Sequence, residues 1–350
     1  MRRVHASRLR LLLVLGLGWL AAAPGRAWGW AGAQHIQINK AAGRAVPEEM
    51  AAFREFSRPM VMPGIYPDLW KEGDLAETPR HYFEPDRLPP GTDLLALSPV
   101  QADAFAQMGI APDLIGIAPW VITDLLRQMS DAMRTNDWMW AARCGGAMGH
   151  YVADLHMPLH CTKNYNGEET RQLGVHTRME GDMTKAFFRA DLIAPAPATH
   201  LADPFREIMG WIAHSASLAP AILKADLDAK RSANGRVDTV SYYEKFWELT
   251  GDTIVAQIES AATHLSSLWY TAWVDAGRPP IPAPLGELPT ASVHSGVGID
   301  PLFEGGLAGA GGSRQNRTYD LIIWSVMGGI ALIVIVSSLH RGRQARKQRP

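Results

Sequence analysis

Cysteine is nearly absent: Cys144 and Cys161 are the only two in 350 residues. Two cysteines are no disulfide framework, even in a compartment that permits bridges. If Cys144 to Leu155 is helical, its rise alone spans about 16 Å, so a bridge requires the chain to fold back after Pro158. Also missing is any segment whose apolar and polar residues alternate with period two, the mark of a half-buried strand. There is no internal repeat. Acidic residues are missing from both ends of the chain, and the long apolar runs are confined to those ends.

The ends differ from the body. Arg2, Arg3, Arg8 and Arg10 precede an apolar run at 11–23, and small residues follow up to Ala27. That is the layout of a signal peptide over 1–27, which predicts an exported protein. A second apolar run, 321–339, has the length of a bilayer core of about 30 Å. Arg341, Arg343, Arg346, Lys347 and Arg349 follow it. The expected arrangement is a transmembrane helix at 321–339 with a basic cytoplasmic tail at 340–350, the main body lying on the non-cytoplasmic side. The ends hold ten of the 34 Lys and Arg, leaving 24 against 35 acidic residues, or about −11 for the part between. Such an acidic body is a poor electrostatic footprint for duplex nucleic acid.

Between the ends, helical periodicity dominates. It predicts helices at 34–46, 48–56, 119–134, 137–156, 174–190, 203–227 and 240–273. Residues 57–115 are rich in Pro, Gly and Asp and read as loop with one short helix near 100–108. The expected fold class is all-α, with a catalytic domain over 28–277. Pro279, Pro280, Pro282 and Pro284 open a Pro- and Gly-rich stretch at 278–317, expected as a flexible linker with a reach of roughly 35 Å.

The chemistry concentrates in one segment. His150 and Asp154 are spaced i, i+4, as are His176 and Glu180, with His160 between the pairs. On a helix that spacing puts an imidazole and a carboxylate on one face. Imidazole and carboxylate together suit zinc and similar borderline metals. Two such pairs point to more than one metal ion. Upstream, Asp68 precedes His81 by thirteen positions, and His35 follows Trp28 by seven. Asp74 competes with Asp68 as the carboxylate, and the spacing to His81 favours Asp68. A leader cut after Ala27 would expose the α-amino group of Trp28; a cut exposing Trp30 satisfies the small-residue rule too. His156, six after His150, faces elsewhere on the helix and is left out of the ligand set.

Taken together, the Trp-Gly start with His35, Asp68 before His81-Tyr82, His150-x3-Asp154-x5-His160 and His176-x3-Glu180 resemble the trinuclear-zinc superfamily. Its members are the zinc-dependent bacterial phospholipases C and the single-strand nucleases. The likeness covers about 28–190 by motif. It implies an all-α domain binding three Zn²⁺ in a cleft and cleaving phosphate esters, by in-line attack of a metal-activated hydroxide on phosphorus. It also implies one zinc on Asp68, His81, His150 and Asp154, and a second on His160, His176 and Glu180. A third would sit on the Trp28 amino group and carbonyl, His35 and Asp154. Asp68 and Asp154 are thereby expected in the catalytic centre. Lys71, three after Asp68, falls where the nucleases carry a basic residue that can contact phosphate.

Within the superfamily, Glu180 resembles the phospholipase form, where nucleases usually carry Asp. Phospholipases acting on choline lipids place aromatic residues where this chain has Leu69 and Thr78, which argues against a choline headgroup. The expected function is a membrane-anchored, phospholipase C-like phosphodiester hydrolase. A single-strand nuclease is the alternative, for which Trp70, Tyr82 and Phe83 are available as stacking platforms. A non-enzymatic, zinc-stabilised binding domain is the third reading.

Overall fold

The computed structural model describes residues 32–293. Helices and turns account for its regular structure, with no strand among the described residues. The principal helices are α1 (Gly32–Ala45), α2 (Tyr66–Trp70), α3 (Gln101–Met108), α4 (Ala118–Arg134) and α5 (Trp138–Leu155). After them come α6, α7 (Pro204–Ser232) and α8 (Val240–Asp275). The α6 stretch, 175–187, is α-helical at Val175–Thr177 and Thr184–Phe187, with a π-helical turn at Arg178–Met183 between them. Short 3₁₀ turns link α1 to α2 and fill the Pro-rich segment before α3.

Side-chain caps start the long helices where polar residues precede the periodic pattern. Asp137, Asp203 and Thr239 accept from the backbone N–H of Trp140, Arg206 and Tyr242 at the starts of α5, α7 and α8. Each such cap contributes about 1 kcal/mol. The α4–α5 turn uses Asn136 at φ 63°, a conformation that Asn tolerates better than most residues.

Helix α5 is the central element, buried on nearly every side between α1, α4, α7 and α8. A helix that is apolar all round belongs in a core. Two glycines set how closely its neighbours approach. A Cβ at Gly149 would lie 1.9 Å from Asn39 Oδ1 on α1, and one at Gly146 would lie 2.7 Å from Pro63. Glycine inside a helix costs about 1 kcal/mol relative to alanine. Here it lets α1 and the 61–65 turn close against α5, and Asn39 Nδ2 donates across the seam to the carbonyls of Met60 and Gly146, both at 2.9 Å.

The expected fold class needs correction in one respect. Among the described residues no helix is long and apolar enough to cross a membrane. The longest helices, α7 and α8, bury one face and turn charged residues such as Lys224, Glu244, Glu248 and Asp252 to solvent. They are therefore amphipathic members of the body. The described fold is all-helical without a transmembrane helix. The apolar runs at 11–23 and 321–339, the basic tail, and Trp28 and Trp30 lie outside the described residues.

Residues 278–293, at the start of the Pro-rich stretch, have no regular structure but run along the body. Leu288 and Val293 are buried. Tyr66 Oη donates to the Leu288 carbonyl (3.2 Å), Trp70 Nε1 to that of Thr290 (2.6 Å) and Arg143 to that of Ala291 (2.7 Å). Two of these three donors belong to α2, the helix of Asp68.

Candidate metal centre

Six elements converge to form the site. α1 supplies His35 and α2 supplies Asp68. The 3₁₀ turn Leu75–His81 supplies His81, and the turn Pro158–Cys161 after α5 supplies His160. α5 contributes His150 and Asp154 one turn apart, and α6 contributes His176 and Glu180. All these side chains are buried. They assemble into three groups that could each hold a metal ion: His35, His150 and Asp154; Asp68, His81 and His150; and His160, His176 and Glu180.

Asp154 stands at the middle. Its Oδ2 lies 2.9 Å from His81 Nδ1 and 3.2 Å from His150 Nε2; its Oδ1 lies 3.5 Å from His160 Nδ1 and 3.7 Å from His35 Nε2. The His35 and His150 rings stack at 4.0 Å. In the third group His176 Nε2 is 2.6 Å from Glu180 Oε1 and 3.3 Å from His160 Nε2. The π-helical turn brings Glu180 round to His176, an irregularity that often marks a working site.

Backbone carbonyls fix two of the imidazoles. His150 Nδ1 donates to the Gly64 carbonyl at 2.8 Å, and His160 Nδ1 to the His81 carbonyl at 2.9 Å. A carbonyl oxygen only accepts, so each ring presents the Nε2 lone pair to the cluster. Metal-binding histidines are oriented in the same way.

The donors fit a cation better than they fit one another. Both ring nitrogens of His35 and Asp154 Oδ1 are buried without a hydrogen-bond partner, a state that native interiors rarely tolerate. Burial opposes the Asp154 carboxylate, but His150 and His160 hold its carboxyl well below the usual range. Burial alone would lower the His150 pKa; Asp154 and Asp68 outweigh it and raise it. His35 is lowered by burial and by His150, and burial takes His160 down to about 3. Burial pushes the Glu180 carboxyl up to about 7 against the pull of His176. These are lone pairs and negative charges packed together out of water, the condition a bound cation relieves.

The cluster opens on one side into a cleft of about 530 Å³. Asp68, His81, His160 and His176 line its floor, and Lys71, Leu75, Tyr82, Glu84, Arg87, Leu114 and Tyr165 its walls. Lys71 Nζ lies 2.6 Å from Asp68 Oδ1. Tyr165 meets His176 edge-on with ring centroids 5.7 Å apart. Of the three aromatic residues considered as platforms, Tyr82 lines the cleft, with its hydroxyl donating to the Asp113 carbonyl at 2.7 Å. Phe83 is core, packed against Trp120, and Trp70 is tied to residue 290. Asp74, the rival of Asp68, is exposed and caps the 3₁₀ turn through Ala76 N–H.

Other residues take roles that spacing did not indicate. His156 Nδ1 donates to the Val152 carbonyl, and its Nε2 meets His264 Nδ1 at 2.7 Å, away from the metal groups. Cys144 and Cys161 are free and buried, and burial raises both thiols. Glu77, unremarked in the sequence, is 1 % exposed and faces His81 from behind. Its i, i+4 spacing to His81 repeats that of the two ligand pairs and was the signal to follow.

Compared with known proteins, the chain matches no family model and no curated protein.

Proposed function

We propose that the protein is a zinc-dependent hydrolase of phosphate esters, phospholipase C-like in its substrate. The observation that carries this reading is the opening of the metal groups into the cleft. A structural zinc site is closed by its four protein ligands, whereas a catalytic one keeps a position open. Here Asp68, His81, His160 and His176 lie on the floor of a cavity large enough for a small organic phosphate. That same feature weighs against a metal-stabilised binding module.

His35, Asp68, His81, His150, Asp154, His160, His176 and Glu180 would hold the ions. When bound, zinc supplies a Lewis acid for a phosphoryl oxygen and lowers the pKa of water to near neutrality. The chain's own groups supply the rest. Asp154 and Asp68 stay ionised, with Asp68 lowered by His150, Lys71 and His81 against its burial. Lys71 Nζ sits at the cleft wall beside Asp68, placed to offset the charge of a phosphate oxygen. As an ammonium it offers a point charge without the bidentate fork of arginine.

The mouth favours a lipid ester. Leu75 and Leu114 line it and are 68 % and 55 % exposed, an apolar rim suited to a diacylglycerol leaving group. A second reading, a single-strand nuclease, draws support from Tyr82 and Tyr165, which could stack nucleobases along the same cleft. One preparation assayed on phospholipid vesicles and on single-stranded DNA separates the two. Release of a phosphorylated headgroup with DNA left intact supports the first, and the converse supports the second. Metal content near zero, with neither substrate cleaved, overturns both.

A further inference from the structure

We propose that Glu77 is a positioning residue for the metal centre, holding His81 as the Nε2–H tautomer so that its Nδ1 lone pair faces Asp68, His150 and Asp154. This inference rests on the metal-centre reading above. His81 Nδ1 lies 2.9 Å from both His150 Nε2 and Asp154 Oδ2, and 4.0 Å from Asp68 Oδ1. That nitrogen is therefore the ligand atom, and the proton belongs on Nε2. His150 and His160 place their remaining protons on backbone carbonyls. For His81 Nε2 the facing acceptor is Glu77 Oε1, at 3.5 Å.

Glu77 is itself fixed in place. Arg80 Nη1 donates to its Oε2 at 3.1 Å, and the Tyr151 hydroxyl donates to its Oε1. Tyr151 follows His150 on α5, so the carboxylate is anchored to the helix that carries two other ligands. Glu77 and Arg80 are 1 % and 2 % exposed. A buried ion pair is a poor source of net stability, and Glu77 does not line the cleft, so contact with substrate does not account for it. Orientation of His81 does. A carboxylate behind a ligating imidazole fixes the tautomer and raises the basicity of the ligand, and its loss costs about 10–100-fold in metal affinity. At 3.5 Å the contact is long for a hydrogen bond; a cation held on Nδ1 would make the Nε2–H a stronger donor to the carboxylate.

The test begins with the intact wild type. Long-range ¹H–¹⁵N correlations on zinc-loaded, labelled protein report which His81 nitrogen bears the proton. Protonated Nε2 is the expected result, and protonated Nδ1 overturns the proposal without need of a variant. Glu77→Gln keeps the volume and removes the charge. In zinc competition against a chelator it should lose about 10–100-fold in affinity for one ion, while the ion on His160, His176 and Glu180 is retained. Unchanged affinity for every ion overturns the role of Glu77. If Glu77→Gln does not fold, the wild-type tautomer still decides. A wild type that takes up no zinc overturns the metal centre and this inference with it; a zinc-loaded wild type with an Nδ1–H ring overturns this inference alone.

Discussion

Replacing Asp154 by Asn distinguishes a metal centre from a metal-free network of buried ion pairs. Asp154 is 0 % exposed and touches His35, His81, His150 and His160 within 3.7 Å. Asn has the same shape, so the substitution removes charge and leaves no cavity. An ion bound only by the folded state adds about 2.7 kcal/mol at a hundredfold excess over its Kd. The ions that would depend on Asp154 are those of two groups: the one of which it is a member, and the one whose His81 and His150 lie against its Oδ2. It meets the third group only through His160 Nδ1, which donates to a carbonyl. Emptying both would cost roughly 5 kcal/mol in zinc. With zinc chelated away the same substitution should cost less by about that amount, because only the contacts of Asp154 with His150 and His160 are then lost. A metal-free network behaves differently. There Asp154 sustains the raised pKa of His150, and its loss strands a buried charge at about 3–5 kcal/mol with or without chelator. Urea unfolding of both proteins, in excess zinc and in chelator, measures the four values. Elemental analysis should find about three zinc ions per wild-type chain and about one in the variant, by the ligand count. Equal destabilisation in both media, with unchanged metal content, refutes the metal centre.

Three further outcomes follow from the packing around the site. Burial holds His264 down to about 2, well below its unfolded value of about 6.5. The unfolded chain therefore takes the proton first as pH falls, and stability is lost below 6.5 at about 1.4 kcal/mol per unit; His264→Gln, which keeps a donor for His156, should lose about 1.4 kcal/mol less than wild type between pH 7.5 and 5.5 in urea titrations. Gly149→Ala drives a methyl group into Asn39 and should cost about 1–3 kcal/mol. By parting α1 from α5 it should also lower zinc content at the His35 group, and a fully loaded variant would contradict the close-approach argument. Tyr66→Phe deletes the hydrogen bond to Leu288 and should cost about 1 kcal/mol, read as faster proteolysis within 285–292; an unchanged rate would mean that this contact does not hold the segment.

What could be read in the sequence divides along a physical line. The periodic helices α4, α5, α7 and α8 were legible because each has an amphipathic or apolar pattern, with a capping residue in front of α5, α7 and α8 and Pro119 opening α4. The pairs His150/Asp154 and His176/Glu180 were legible because ligation at i, i+4 uses the geometry of a single helix. Glu77/His81 has the same spacing, but Pro79 lies between the two residues and the surroundings read as loop, so the spacing carried no helical meaning there. A 3₁₀ turn that accommodates the proline brings the two together all the same. The contact of His156 with His264 spans 108 positions, and no local pattern announces it. The tight seam at Gly149 likewise depends on which side chain arrives opposite, which is decided by the packing of α1.

The same division explains why the His35 group was the hardest to read. His35 stands alone on α1, and its partners His150 and Asp154 are more than a hundred residues away. What brings it to them is a glycine on α5 and an asparagine on α1, neither of them a ligand. Gly149 provides the space, and Asn39 ties α1 to the carbonyls of Met60 and Gly146. Gly64, in the turn drawn in beside them, accepts from His150 Nδ1 at its carbonyl and so orients the ring. One seam therefore sets both the position of His35 and the tautomer of His150. Substitutions along it should reach the metal centre without touching a ligand, and by more than their cost in stability alone would imply.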